Sequence, residues 1–548
     1  MPDSQHNPTF EIGMVMAGAI SAGAYSAGVF DFLIEALDAW EAEKAKPGYA
    51  GPRHDAVIKV LTGASAGAMT ASIAAVALQS ETEPVRDVDN PPEASRNRFY
   101  DAWVRRVDAT CLLRDEDIQA SGKVMSLLDS TELDRIAGDA LKTTIAPKLR
   151  RFVADPLAIF LTVANLRGVP YAFNMVGAQG GAPYGMLAHA DHVKFAVSRA
   201  GRTLPAARQL EPSDAPGGSW PMLARSALAS GAFPVGLQSR VLEGEFGDYD
   251  HRYEVKPFWG EMRPQGLYKF LCVDGGLMNN EPLELARAYL ADGGRNPREG
   301  GIAYRAVVMV DPFPNKANFK AEFTPDDRIM PVVSGMFGSL IDQARFKPEE
   351  LQLAMNPDIY SRFVISPSRT NAQDKNVEPA MASAILGGFG GFLCEPFRRH
   401  DFQLARRNCQ QFLRRHFCLP ETNPLFKDFP PSAREPYYTR DSVGQFDRFA
   451  GPDSPRMLPI IPLEAQAKPA IAPYAVPNAK SVDLDALEDL LETRIKKVVA
   501  TLIDGDLSSV IGGSIVRWGA RTAFNMKIAP KLRDKLRAAV ETQLATLG

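Results

Sequence analysis

The sequence is short of the residues that build most catalytic and metal centres. It has seven histidines in 548 residues, His6, His54, His189, His192, His251, His400 and His416. None closes an apolar, strand-like run and opens a loop, the setting in which a triad histidine is usually presented. Five cysteines, Cys111, Cys272, Cys394, Cys409 and Cys418, are an odd number with no C-x-x-C pair and no histidine at zinc spacing. That pattern argues against a disulfide framework and a zinc site, and fits thiols of a reducing compartment. Neither a cofactor nor a metal is therefore expected. A basic excess is missing as well: the net charge of −3 excludes a general nucleic-acid binder. Residues 12–30 carry no charge over 19 positions, which meets the length of a membrane span. The run is dominated by Gly, Ala and Ser, has no basic flank and follows a polar opening, so neither a span nor a signal peptide is expected. The expected setting is cytoplasmic, with peripheral membrane contact as its one variation.

What is present is one dense stretch around which the rest is organised. Val57-Ile58-Lys59-Val60-Leu61-Thr62-Gly63-Ala64-Ser65-Ala66-Gly67-Ala68 runs from an apolar strand into small residues about a serine and on into a helix over 68–78. A serine on so tight a turn needs neighbours nearly free of side chain, and Gly63 and Gly67 bracket it. The following helix aims its amides and positive dipole end at Ser65. The pattern predicts a nucleophile elbow, although G-x-S-x-G alone also arises by chance.

Upstream, 10–16 reads as a strand, 17–23 as a glycine-containing loop and 24–44 as a helix with apolar residues at helical spacing. Strand, loop, helix and second strand form a parallel, right-handed βαβ unit. This sets both loops at the carboxyl ends of adjacent strands, where open α/β sheets place their sites. The glycine loop matches neither G-x-G-x-x-G nor G-K-[ST]. It reads as a structural turn or as an oxyanion hole formed by amides of Gly18, Ala19 and Ile20.

Further on, 82–97 reads as a polar surface loop and 99–151 as mainly helical, a cap for the site. Strands are predicted at 158–164, 171–176, 306–310 and 362–365, with helices over 222–231 and 349–355. The run Tyr268-Lys269-Phe270-Leu271-Cys272-Val273-Asp274-Gly275-Gly276 is a buried strand ending in an acid. That is either an ordinary Asp-Gly turn or the presentation of a catalytic carboxylate. Helix 394–417 carries Arg398, Arg399, Arg406, Arg407, Arg414 and Arg415; structural partners within the fold are the first reading of these arginines, anionic headgroups the second. Twelve prolines between 420 and 477 exclude regular helix there. Helices are predicted again over 482–503 and 526–547. With no histidine placed for it, the serine has a carboxylate as its remaining base, and Asp274 is the strand-end candidate.

Three stretches together resemble the patatin-like phospholipase family: the loop from Gly18 to Gly28, the elbow about Ser65, and Asp274-Gly275-Gly276 with Asn280 and Pro282 after it. Ala229-Ser230-Gly231-Ala232-Phe233-Pro234 is similar to the small-residue segment the family carries between elbow and acid. The resemblance covers about residues 8–420. It implies an α/β fold with a mainly parallel sheet sandwiched by helices, a Ser65–Asp274 dyad, no catalytic metal, and hydrolysis of lipid acyl esters by a phospholipase or lysophospholipase. The family's loop usually reads G-G-G-x-R-G, and here it is Gly18-Ala19-Ile20-Ser21-Ala22-Gly23. This departure keeps a catalytically silent lipid-binding or scaffold protein as one rival; a Ser-His-acid esterase is the other. The expected organisation is a hydrolase domain over 8–418, a Pro-rich extended linker over 419–481 and a helical C-terminal region over 482–548.

Overall fold

The computed structural model describes residues 7–142, 147–173, 184–214, 217–250, 252, 257–259, 266–313, 324–329, 331–332, 335–336, 339, 359–370, 375–439, 456–505, 507 and 514–546. Its centre is a sheet built from β1 (Thr9–Met16), β2 (Asp55–Gly63), β3 (Val153–Phe173), β4 (Tyr184–Val197), β5 (Arg208–Leu210), β6 (Arg240–Gly244), β7 (Tyr268–Asp274), β8 (Arg305–Val310) and β9 (Arg362–Ile365). The order is β5-β4-β3-β2-β1-β8-β9, with β7 paired to β3 and β6 to β7. Strands β3, β2, β1, β8 and β9 run parallel, while β4 and β7 pair antiparallel to β3. The central strands are near-continuous apolar runs because both their faces are covered. Met16 ends β1 directly opposite Gly63 of β2, so the two loops predicted to lie side by side do so.

The helices are α1 (Gly23–Lys44), α2 (Ala66–Ala77), α3 (Thr131–Ala140), α4 (Trp220–Ser230), α5 (Leu283–Ala291), α6 (Glu395–Arg415), α7 (Leu484–Asp504), α8 (Ser514–Ala523) and α9 (Ala529–Leu544). The larger core lies between the sheet and α1, α2 and α6. On the other face α5 covers Val15, Val60, Phe160 and Met309 through Leu283, Leu285 and Leu290. The result is a three-layer α/β/α arrangement. By length and composition the segment Ile20–Lys44 could cross a membrane, yet 94% of its apolar window is buried inside the protein. It is the core helix of this fold. Gly28 lets α6 approach, since a Cβ there would meet the carbonyl oxygen of Phe402.

Several expectations change. The strand predicted at 171–176 is the continuation of β3, which runs on to Phe173 through a register shift between Ala164 and Val169; residues 174–176 and the helix predicted over 349–355 lie outside the described residues. Strands β4 and β6 were not foreseen, because half-exposed antiparallel strands such as Tyr184–Val197 mix polar and apolar residues. The region 99–151 holds short helical turns around α3 rather than long helices. Among its described residues the Pro-rich stretch contains 3-10 turns and two short strands, β10 (Cys418–Pro420) and β11 (Met457–Pro459), paired with each other. It is no spacer: Leu425, Phe426, Phe429, Leu458, Ile460 and Ile461 are buried in the larger core. Arg398 and Arg406 of α6 face inward, while Arg399, Arg407 and Arg414 are half-buried and engaged by neighbouring groups. Arg406 pairs with Asp31 and Glu35 of α1, Arg398 donates to the carbonyls of Val104 and Gly391, and Arg399 pairs with Glu395. Arg407 and Arg414 donate to the carbonyls of Ile471 and Lys468. The structural reading of this helix therefore replaces the headgroup reading.

Candidate active site

Strand β2 ends at Gly63, the chain turns at Ser65 and α2 begins at Ala66. Ser65 is held at φ 53°, ψ −126°, a strained region for a residue with a side chain and a frequent mark of functional sites. The turn is possible only because its flanks are bare: a Cβ at Gly67 would strike the carbonyl of Met16, and one at Gly63 the carbonyl of Gly67. The N–H of Ser65 donates to Ser230 Oγ at 2.8 Å, which fixes the strained peptide from the end of α4. Ser65 Oγ then donates to Asp274 Oδ2 at 2.7 Å.

Asp274 stands at the end of β7, opposite Val163 of β3. Its own N–H donates to the carbonyl of Ala232 at 2.9 Å, and its Oδ1 accepts from the N–H of Gly276 at 2.7 Å. Burial drives the carboxyl up to about 6, while the bonds from Ser65 and Gly276 pull it back. Gly275 and Gly276 form the 3-10 turn that carries the chain away from the acid. The stretch after it is pinned to the sheet: Thr62 Oγ1 donates to the carbonyl of Pro282 and Thr162 Oγ1 to that of Asn279.

The glycine loop lies against both. Its Gly18 N–H donates to the carbonyl of Asn280 at 3.1 Å. This corrects the expected oxyanion hole, because that amide is engaged and cannot also face an oxyanion. The amides of Ala19, Ile20 and, just past the nucleophile, Ala66 have no acceptor among the described residues. Ile20 sits at φ 47°, a left-handed conformation that a β-branched residue adopts only under constraint. The constraint is visible at Ser21, whose Oγ donates to the carbonyl of Gly388 and accepts from the N–H of Gly391.

Ser65 and Asp274 open on a cavity of about 610 Å³, counting its mouth, lined among others by Ile20, Met69, Trp103, Phe233, Phe389 and Phe392. A second apolar space of about 450 Å³ shares Met69, Trp103, Val107 and Leu133 with the first and continues between α2, α3 and α4. The two are neighbouring spaces with shared apolar walls, a run of apolar lining that leads away from the serine. Trp103 is buried at their junction, and its indole N–H has no partner among the described residues. Sequence reasoning missed Trp103, Phe389 and Phe392 altogether, since no local motif marks residues that meet only in the fold. Ser230 and Asn280 were noticed as motif members, but not as the groups that hold the serine and the loop.

No histidine reaches this pair among the described residues. His54 bonds to the carbonyl of Ile460, His189 to that of Asn165 and His400 to Asp401, and His192 packs on the Phe160 ring. His6 and His251 lie outside the described residues. Nor does any group of three His, Cys, Asp or Glu side chains among the described residues come together as metal ligands would. The five cysteines are free and buried.

Comparison with known proteins bears on the family of the chain. The family model described as patatin-like phospholipase matches residues 14–287. The chain is similar to the uncharacterized protein y4iI of Sinorhizobium fredii (strain NBRC 101917 / NGR234), with 35% identity over 556 aligned residues, 92% of this chain and 77% of that protein. The crystal structure of VipD from Legionella pneumophila aligns over 98% of this chain and 92% of that one, at 12% identity and a TM-score of 0.21.

Proposed function

The chain belongs to the patatin-like phospholipase family, whose activity is lipid acyl hydrolysis, and from that premise we propose that it cleaves phospholipid or lysophospholipid acyl esters with Ser65 and Asp274 as a dyad. The observation that carries the reading is the 2.7 Å bond from Ser65 Oγ to Asp274 Oδ2 at the head of an apolar path. The acyl chain enters that path and the polar headgroup stays at the mouth, because an apolar channel offers no partner for buried polar groups. As Ser65 Oγ bonds to the ester carbonyl carbon, its proton passes to Asp274. The negative oxygen of the tetrahedral intermediate is held by the amides of Ala19, Ile20 and Ala66 and by the dipole of α2, each donor contributing about 3 to 4 kcal/mol in a water-excluded site. Collapse expels the alcohol, which takes the proton from Asp274. A water, deprotonated by the same carboxylate, then attacks the acyl-enzyme; as the second tetrahedral intermediate collapses, Ser65 Oγ leaves, takes the proton back from Asp274, and the fatty acid is freed.

A silent lipid-binding protein is the second reading, favoured by the engaged Gly18 amide and the strained Ile20. Labelling with a fluorophosphonate, alongside hydrolysis of phospholipid and lysophospholipid, separates the two. Wild type is expected to label at Ser65 and to turn over; Ser65→Ala and Asp274→Asn should each lower kcat by roughly 10³-fold or more, and the double variant no further, as for groups acting as one unit. Wild type that neither labels nor hydrolyses supports the silent protein, and near-wild-type turnover by a folded Asp274→Asn variant overturns the dyad.

A further inference from the structure

The C-terminal helices carry a surface that the hydrolase site does not account for. Trp518 is 64% and Met526 73% exposed, and Ile528, Leu532 and Leu536, spaced four apart and so on one helical face, are exposed as well. Beside that stripe Lys531 and Lys535 are exposed and form no ion pair among the described residues. Segment 514–537 holds seven basic residues against one acid, Asp534, in a chain whose net charge is −3. Arg521, Arg533 and Arg537 are turned inward to Asp504, Glu492 and Glu488 of α7 and tie the helices together. The lysines and the apolar stripe are left facing out. Helices of 10 and 16 residues are too short to span a bilayer, but a tryptophan, an apolar stripe and flanking lysines are what an interfacial helix presents to it.

The position of this surface links it to the site. Arg494 of α7 is buried, pairs with Asp117 and donates to the carbonyls of Ser126 and Leu127; the next residue, Leu128, lines the Ser65 cavity. On the other side Val540 and Leu544 of α9 pack with Ile385, Leu386 and Leu393, the segment that carries Phe389 and Phe392 into the same cavity. The α7–α9 assembly thus braces two walls of the cavity, whose lining includes the exposed Phe233.

We propose that the face of α8 and α9 bearing Trp518, Ile528, Leu532, Lys531 and Lys535 docks this protein on an anionic phospholipid bilayer and sets the mouth of the Ser65 cavity against the lipid. The charge of the segment selects the occupant: its lysines complement anionic headgroups, and attraction of this kind decays with salt over a Debye length of about 8 Å. The proposal rests on the lipid reading of the site, but its test measures binding without turnover. Sedimentation of the full chain carrying Ser65→Ala with phosphatidylglycerol or phosphatidylcholine vesicles, at low and high salt, is the measurement. Binding is expected to the anionic vesicles, weakened by salt, and lowered roughly tenfold or more in both Lys531→Gln/Lys535→Gln and Trp518→Ser/Leu532→Ser. The lysine pair is exposed and leaves packing intact, so it reports even where the apolar variant fails to fold. Hydrolysis of a short, water-soluble ester by both variants in the Ser65 background should equal wild type. Equal partitioning of the folded variants, or no vesicle binding at all, overturns the proposal. So does a dimer in light scattering that these substitutions dissolve without any vesicle binding, since a second copy would then cover the face.

Discussion

A carboxyl that must be both buried and charged is the central residue of this site. Asp274 is fully enclosed by β7, the 3-10 turn and Ser65, and burial lifts its ionisation to about 6. As the proposed base it must be ionised, so kcat/KM is expected to rise with pH up to about 6 and level off above, a profile measured on a soluble ester. The same shift bears on stability. An ordinary aspartate ionises near 3.9, so between about pH 4 and 6 the folded state holds a proton that the unfolded chain has released. Stability is therefore fully present below about pH 4 and falls as pH rises through 6, by an amount on the order of 3 kcal/mol. Asp274→Asn removes that titration. Thermal unfolding should show the variant more stable than wild type at pH 7.5 and no more stable at pH 4; a variant less stable at pH 7.5 would mean that the ionised carboxylate is a net support to the fold.

The helix with the most basic residues turns out to be engaged with the core. Arg406 of α6 is buried against Asp31 and Glu35 of α1, with Asn97 donating to Asp31 and Arg86 to Glu35 from the loop after α2. Burial lowers Arg406 to about 9 and raises Glu35, the opposing signs expected when two charges leave water together. Removing one partner of such a cluster leaves the others buried and uncompensated, which costs about 3 to 5 kcal/mol. Arg406→Gln is accordingly expected to lower the unfolding free energy from denaturant titration by that amount while leaving vesicle binding unchanged. Loss of vesicle binding in the folded variant would return a lipid role to this helix. The arginine count of 394–417 was legible in the sequence. Which way the arginines face was not, because the partners of Arg406 lie 375 and 371 residues away in α1 and Arg398 reaches Val104, 294 residues away.

Across the whole molecule the Pro-rich stretch decides where the folded unit ends. Its prolines prevent helix, but between them come Leu425, Phe426, Phe429, Leu458, Ile460 and Ile461, all in the larger core, and β11 supplies the partner of β10. Burying such side chains stabilises by roughly 1.5 to 3 kcal/mol each, so losing six of them approaches or exceeds a typical domain's entire stability. A chain ending at Pro420 should lack a cooperative unfolding transition in calorimetry. A sharp transition in that truncated chain would show that residues 8–418 fold alone.

The sequence by itself determined the catalytic geometry's ingredients. Gly63, Ser65 and Gly67, Asp274 with Gly275 and Gly276, and the βαβ unit before them are local patterns, each set by short-range sterics: a bare turn, a strand-end acid, a crossover of one hand. What only the tertiary structure decided is how these patterns meet. The antiparallel pairing of β7 with β3 carries Asp274 to Ser65, 209 residues away. Asn280 takes the Gly18 amide that the sequence left to the oxyanion, and Trp103 meets Phe389 and Phe392 in the lining of one apolar cavity from two distant segments. Periodicity and motif report on neighbours within a turn or two of the chain. A site built from contacts hundreds of residues apart is fixed by packing, and packing depends on every element at once.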